Sequence, residues 1–242
     1  MKNFSILLLA ILLLASCGGD EGVTDTTLNF NLMFGDDTLV MFEDVESEDG
    51  TRMRITDVKG YFSDVTLTSG GESAKVSEVK YLELGDAHSD AEEAAEGYKW
   101  TVESDLQGTI DGISFNVGLP SEINETRPAD YNSSNDLSRA SEYWSNWGSY
   151  IYFKVEGNAD FNGNGEYDSG ESIVLHLGTQ LAYKSVAIAK NVENGNMAIE
   201  LDVEKIFENY DLSGMPTIHA DLNDQVRSNI ETLATNISNA FQ

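Results

Sequence analysis

Residues 142–178 read EYWSNWGSYIYFKVEG (142–157), NADFNGNGEYDSGES (158–172) and IVLHLG (173–178). Ser149–Gly157 and Ile173–Gly178 are short apolar runs rich in aromatic and branched side chains, and an Asn/Gly-rich stretch separates them. Two such runs bounded by turn residues predict a β-hairpin. In the second run Ile173, Leu175 and Leu177 alternate with Val174 and His176, so His176 lies on the face opposite the three aliphatics, beside Val174.

The same period of two recurs on either side. Leu28, Phe30, Leu32 and Phe34 alternate with Thr27, Asn29, Asn31 and Met33. Met53–Leu67, Val79–Leu84 and Ile113–Leu119 carry further strand patterns, and Pro120 stops the last. Gly35-Asp36-Asp37, Ser47–Gly50 and Ser69-Gly70-Gly71 are turn signals. Asn194-Gly195, between Val186/Ile188 and Met197–Val203, is a two-residue hairpin signal. The period then changes: Val203–Tyr210 suggests a short helix, and Leu222, Val226, Ile230, Leu233, Ile237 and Phe241 recur every three or four residues. The expected fold is all-β, an antiparallel β-sandwich with one C-terminal amphipathic helix, as a single domain over residues 27–242. Pro120–Ser141 has no periodicity, and its length predicts an ordered functional loop leading into Trp144 and Trp147. His88–Gly97 is an acidic connection in which His88 is expected to be solvated.

The first residues form a targeting signal. Lys2 precedes the apolar run Phe4–Ala15, which is too short to span a membrane and has the length of a signal-peptide core. Leu14-Ala15-Ser16-Cys17 resembles a bacterial lipobox, which implies a signal peptide over 1–16 and lipid on Cys17. Residues 17–26 form a tether to a lipid anchor in the outer membrane of the cell envelope, with the face left open. Cys17 is the chain's single cysteine, so no internal disulfide can form. The formal net charge of -28 excludes nucleic acid as a natural partner and favours cations.

Asp160-Phe-Asn162-Gly-Asn164-Gly165-Glu166-Tyr-Asp168-Ser-Gly-Glu171 matches the calcium-loop pattern D-x-[DN]-x-[DN]-G-x5-E at every defined position. Asp160, Asn162 and Asn164 alternate toward one point, and Gly165 makes the turn. Glu166 offers a carbonyl, Asp168 sits at the water-mediated position and Glu171 closes bidentately. Hard oxygen donors suit Ca2+, here at a hairpin tip instead of between helices.

Several segments together resemble the MbnP-like copper-binding family. They are TLNFNLMF (27–34), YFSDVTL (61–67), GISFNVGLP (112–120), PADY (128–131), YWSNWGSYIYFKVEG (143–157), HLG (176–178) and NISNAF (236–241). The resemblance implies a β-sandwich and an exported copper-binding protein. Its copper ligands are histidine and a tryptophan oxidised to kynurenine, with a di-haem peroxidase as modifying partner. It points to His176, to His219 before the last helix, and to Trp144 and Trp147 as candidate copper-site residues. The tryptophan segment departs from the family's usual W-x-W-x-x-G-Y, being W-x-x-W-G-S-Y here.

No nucleophile elbow, H-E-x-x-H or phosphate-binding glycine loop is present, so a binding protein is expected and not an enzyme. The expected function is metal binding, with copper acquired or handled and Ca2+ bracing the hairpin. The alternative is a calcium-stabilised surface lipoprotein that binds a protein or glycan without copper.

Overall fold

A computed structural model of the chain describes residues 23–219 and 222–242. The expected signal peptide, Cys17 and most of the expected tether lie outside the described residues. In chain order the strands are β1 (Thr24–Phe34), β2 (Asp37–Thr38), β3 (Asp44–Glu46), β4 (Arg52–Ser69), β5 (Glu72–Leu82), β6 (Tyr98–Ser104), β7 (Gly112–Val117), β8 (Tyr143–Trp144), β9 (Ser149–Ala159), β10 (Ser172–Gly178), β11 (Lys184–Ile188), β12 (Asn196–Asp202) and β13 (Thr217–Ile218). The helices are α1 (Ala91–Glu96), α2 (Ser121–Asn124), α3 (Val203–Ile206) and α4 (Asp224–Ala240). β1 begins at Thr24, so residues 24–26 of the stretch read as tether already belong to the sheet.

Two sheets face each other across one apolar core. In the smaller, β1 is flanked by β12 and β6, with β2 at its end. The larger runs β11-β7-β4-β9-β10-β13, and the 18-residue β4 also pairs with β3 and β5. The alternation in β1 is as expected: Leu28, Phe30, Leu32 and Phe34 are buried and the residues between them are not. Phe30 meets Phe62 across the sheets with ring centroids 5.7 Å apart. The sandwich is mixed in direction, because β1–β12 and β10–β13 pair in parallel. Helix α4 buries Val226, Ile230, Leu233 and Ile237, the periodic set read from the sequence, and is capped by Asn223, whose side chain accepts from the Val226 amide. Phe241 follows it into the core against Phe62 and Phe115.

Three local expectations need correction. Asn194-Gly195 does reverse the chain, with both residues at positive φ. The antiparallel Glu193–Asn196 bridge closes this two-residue turn, but the strands beyond it enter different sheets, β11 beside β7 and β12 beside β1, and do not pair with each other. Strand β6, which pairs with β1, had no place in the sequence reading. His88 is fully buried, not solvated. Its Nε2 accepts from the Leu32 amide at 2.9 Å, and its Nδ1–H donates to the Leu84 carbonyl at 2.9 Å. It therefore staples the short helical turn after β5 to the C-terminal part of β1.

Burial holds His88 below its ordinary pKa of 6.5, although the Leu84 carbonyl acts in the other direction. A proton on Nε2 would face the Leu32 N–H. Stability from this group is complete above pH 6.5. It falls below that pH, because the unfolded chain then takes up a proton the folded chain refuses, by up to about 1.4 kcal/mol per pH unit. In denaturant melts at pH 7.5, 6 and 5, the stability gap between the wild type and His88→Gln should narrow as pH falls. A constant gap would contradict the neutral, doubly bonded imidazole.

Candidate metal site at the β9–β10–β13 edge

The hairpin read from residues 142–178 is present: β9 and β10 pair antiparallel, with Leu175 opposite Val155 and His176 opposite Lys154. Paired residues share a face. One face carries Phe153, Val155, Ile173, Leu175 and Leu177, all buried in the core. The other carries a polar row running across three strands: Asp57 and Lys59 of β4, Lys154 and Glu156 of β9, and His176 of β10.

β13 brings the second imidazole. It pairs in parallel with β10, Val174 with Thr217 and Leu175 with Ile218. One further step sets His219 level with His176, and their Nδ1 atoms are 2.7 Å apart. Nε2 of His176 lies 2.6 Å from Oε1 of Glu156. Trp144 completes the cluster, its ring centroid 4.3 Å from that of His219. Its indole Nε1 is buried and makes no hydrogen bond. Trp147 lies edge-on to Trp144, with centroids 6.5 Å apart, over Gly178. A Cβ at Gly178 would come within 3.0 Å of the Trp147 ring, so only glycine lets the indole lie there. All four candidate copper-site residues are therefore brought to one edge of the larger sheet.

His176 is 7% exposed, and burial lowers its pKa against the opposing effect of Glu156, with Lys154 adding to the lowering. Charges on this face come in pairs. Lys154 Nζ lies 2.7 Å from Glu142 Oε2, with side chains 9% and 5% exposed. Burial acts to raise the Glu142 pKa, yet the Lys154 bond and charge keep it below the ordinary carboxylate value. Lys59 pairs with Asp57 at 2.6 Å. The Lys154–Glu142 pair ties the segment that carries Trp144 to the sheet beneath His176.

The long stretch before the tryptophans is ordered by specific bonds. Asn124 accepts from the Ser149 hydroxyl and the Tyr150 amide, both at 3.0 Å. The Tyr150 hydroxyl donates to the Leu137 carbonyl. Hairpin register and the β13 crossover cannot be read from periodicity alone, so Glu156, Lys154 and Glu142 were missed. The one signal was that Lys154 and Glu156 occupy alternate positions of β9, on a single face.

At the hairpin tip the side chains of Asp160, Asn162, Asn164, Asp168 and Glu171 converge. Asp160 accepts from the Asn164 and Gly165 amides at 3.1 and 2.7 Å. Glu171 accepts from the Phe161, Asn162 and Asp168 amides. The side-chain Nδ2 groups of Asn162 and Asn164 both donate to Asp168. Glu166 donates its backbone N–H to Asn164. Gly165 has φ +87°, as the sharp turn requires. Among the described residues, no three His, Cys, Asp or Glu side chains stand at metal-holding geometry, at this tip or at the histidine pair.

A mixed β-sandwich carrying a buried and a half-buried imidazole, His176 and His219, beside an indole at one sheet edge defines the class of protein. The family model for MbnP matches residues 23–221, and the chain belongs to the MbnP family, which is metal-associated. Among solved structures it is similar to MbnP from Methylosinus trichosporium. The two share 14% identity with a TM-score of 0.57, over 79% of this chain and 80% of that one, a likeness of fold. No curated protein matches the chain.

Removing one partner of the Lys154–Glu142 pair strands the other charge. Lys154→Met should cost about 3 kcal/mol or more, and the double variant Glu142→Gln/Lys154→Met should regain most of that loss in denaturant unfolding. Equal stability of the single and double variants would show that the pair does not anchor the Trp144 segment.

Proposed function

We propose that this chain is an exported, lipid-anchored binding protein that takes up copper at His176 and His219, with Trp144 beside them. The supporting observation is the meeting of two imidazole Nδ1 atoms at 2.7 Å next to a buried indole nitrogen without a hydrogen bond. Imidazole nitrogen is a suitable ligand for copper. The residues present fit the metal in donor type, with His176 and His219 as the two nitrogen donors. Copper, when bound, would replace the proton that the two Nδ1 atoms now share with a cation held by His176 and His219. Trp144, whose ring lies against that of His219, is the tryptophan we assign to oxidation to kynurenine by a di-haem peroxidase partner, and its nitrogen, without a hydrogen bond, is free to serve as a further donor. Lipid on Cys17 would hold the domain at the outer membrane of the cell envelope. Among the described residues no helix is long and apolar enough to cross a membrane.

The loop at Asp160–Glu171 is proposed to take Ca2+ through oxygens that now accept backbone amides. With Kd of ~0.1 mM at ~1 mM Ca2+ the folded state gains about 1.4 kcal/mol, enough to stiffen a hairpin and too little to drive a switch.

Two measurements test these assignments. Copper titration of the mature protein should give about one copper per chain, and His176→Ala or His219→Ala should each weaken binding at least about 100-fold, about 2.7 kcal/mol. Protein that stays copper-free after loading, yet gains stability from Ca2+, would favour the calcium-stabilised surface module instead. Ca2+ at 1 mM, against a Mg2+ control for the acidic surface, should raise Tm by about 3 to 5 °C in the wild type and not in Asp160→Ala. An equal rise in both proteins would refute the calcium assignment.

A further inference from the structure

We infer that Glu156 is a positioning residue for the histidine pair. It holds His176 in the Nε2–H tautomer, so that Nδ1 is the nitrogen offered to a metal. This rests on the copper reading of the site for its last step and on geometry for the first.

A carboxylate can only accept, so the 2.6 Å contact from Glu156 Oε1 requires the proton on His176 Nε2. The neutral ring then has its lone pair on Nδ1, which faces Nδ1 of His219. His219 must be the donor of that contact.

Strand geometry leaves Glu156 as the acceptor for Nε2. Glu156 pairs with Val174, and His176 pairs with Lys154, so the Glu156–His176 contact is the same-face diagonal of the β9–β10 ladder. Lys154, directly opposite His176, is a donor and is committed to Glu142 at 2.7 Å. The side chain of Val174 has no polar atom. Carboxylates hydrogen-bonded to metal-binding imidazoles fix the tautomer and ring angle, and their loss typically lowers metal affinity 10- to 100-fold. Glu156 is otherwise dispensable to the core, since it stands on the outer face with its side chain 36% exposed.

The test uses 15N-labelled mature protein and long-range proton–nitrogen spectra of the imidazole rings. The chain has three histidines, so each ring is assigned by its own Gln variant. Metal-free wild type should show His176 protonated on Nε2 and bare on Nδ1. Glu156→Gln, whose amide oxygen still accepts, should keep that tautomer. Glu156→Leu should lose the Nε2–H preference and bind copper(I) 10- to 100-fold more weakly, with the circular dichroism spectrum unchanged. An Nε2–H tautomer that survives in Glu156→Leu, or a wild type protonated on Nδ1, would overturn the assignment. If the wild type binds no copper, the copper reading falls, and the metal-free spectra still decide what Glu156 does.

Discussion

The parallel pairing of β10 with β13 is the constraint on which the site depends. His176 and His219 are 43 residues apart, and only this ladder brings them level, because Val174–Thr217 and Leu175–Ile218 pair at the same offset. Parallel neighbours need a long crossover. Here the crossover includes β11, β12 and α3, so the chain that connects the two imidazoles also supplies a strand to each sheet. The Val174 amide, bonded to the Pro216 carbonyl at 2.9 Å, secures the start of the ladder. With the Trp144 segment tied down by Glu142 and Lys154, three distant pieces of chain are fixed on one sheet edge.

The sandwich tolerates this polar row because each charge has a partner. A buried lysine or carboxylate alone would be costly. Lys154 with Glu142, Lys59 with Asp57 and Glu156 with His176 satisfy one another on a face whose reverse is wholly apolar. Such a row adds little net stability over an apolar one, but it forbids alternative registers that would leave a charge in the core. Among the described residues, the indole nitrogen of Trp144 is one of six buried side-chain polar atoms without a hydrogen-bond partner, and the one that lies beside the histidines. Buried unpaired polar atoms are uncommon, and this one lies with its ring against that of His219.

Much of the frame was legible in the sequence where a side chain's environment follows from its neighbours in the chain. The alternation of Leu28–Phe34, the three- and four-residue spacing of Val226–Ile237 and the two runs of the β9–β10 hairpin all belong to that kind. What failed depends on distant partners. His88 sits in a polar, acidic stretch, and nothing local shows that Leu32 and Leu84 will offer it an acceptor-seeking amide and a carbonyl. Tyr98–Ser104 is different in kind: Tyr98, Trp100 and Val102 alternate with Lys99, Thr101 and Glu103 and turn toward the core, so this strand was legible and went unread. Asn194-Gly195 specifies a reversal, but the sheet that each flanking strand joins is decided by the core. His176 and His219 could be named from a resemblance, whereas Glu156 could not, because its role exists only in the cross-strand diagonal.

That diagonal makes the hairpin loop more than a connection. A slip of one residue between β9 and β10 would turn His176 into the core and Leu175 or Leu177 onto the polar row. The aliphatics on either side of His176 would resist it weakly, since Val174 could take their place. The loop resists it strongly. The Ala159 amide donates to the Glu171 carbonyl at 2.9 Å and closes the base of the loop, while the carboxylate of Glu171, 6% exposed, is held by three backbone amides from within it. Asp160 does the same from the other end. Moving either residue by one position would strand a buried carboxylate. The acidic loop and the histidine site, about 16 Å apart along β10 at 3.3 Å per residue, are thus joined by register: the loop determines which residue of β10 stands opposite Lys154.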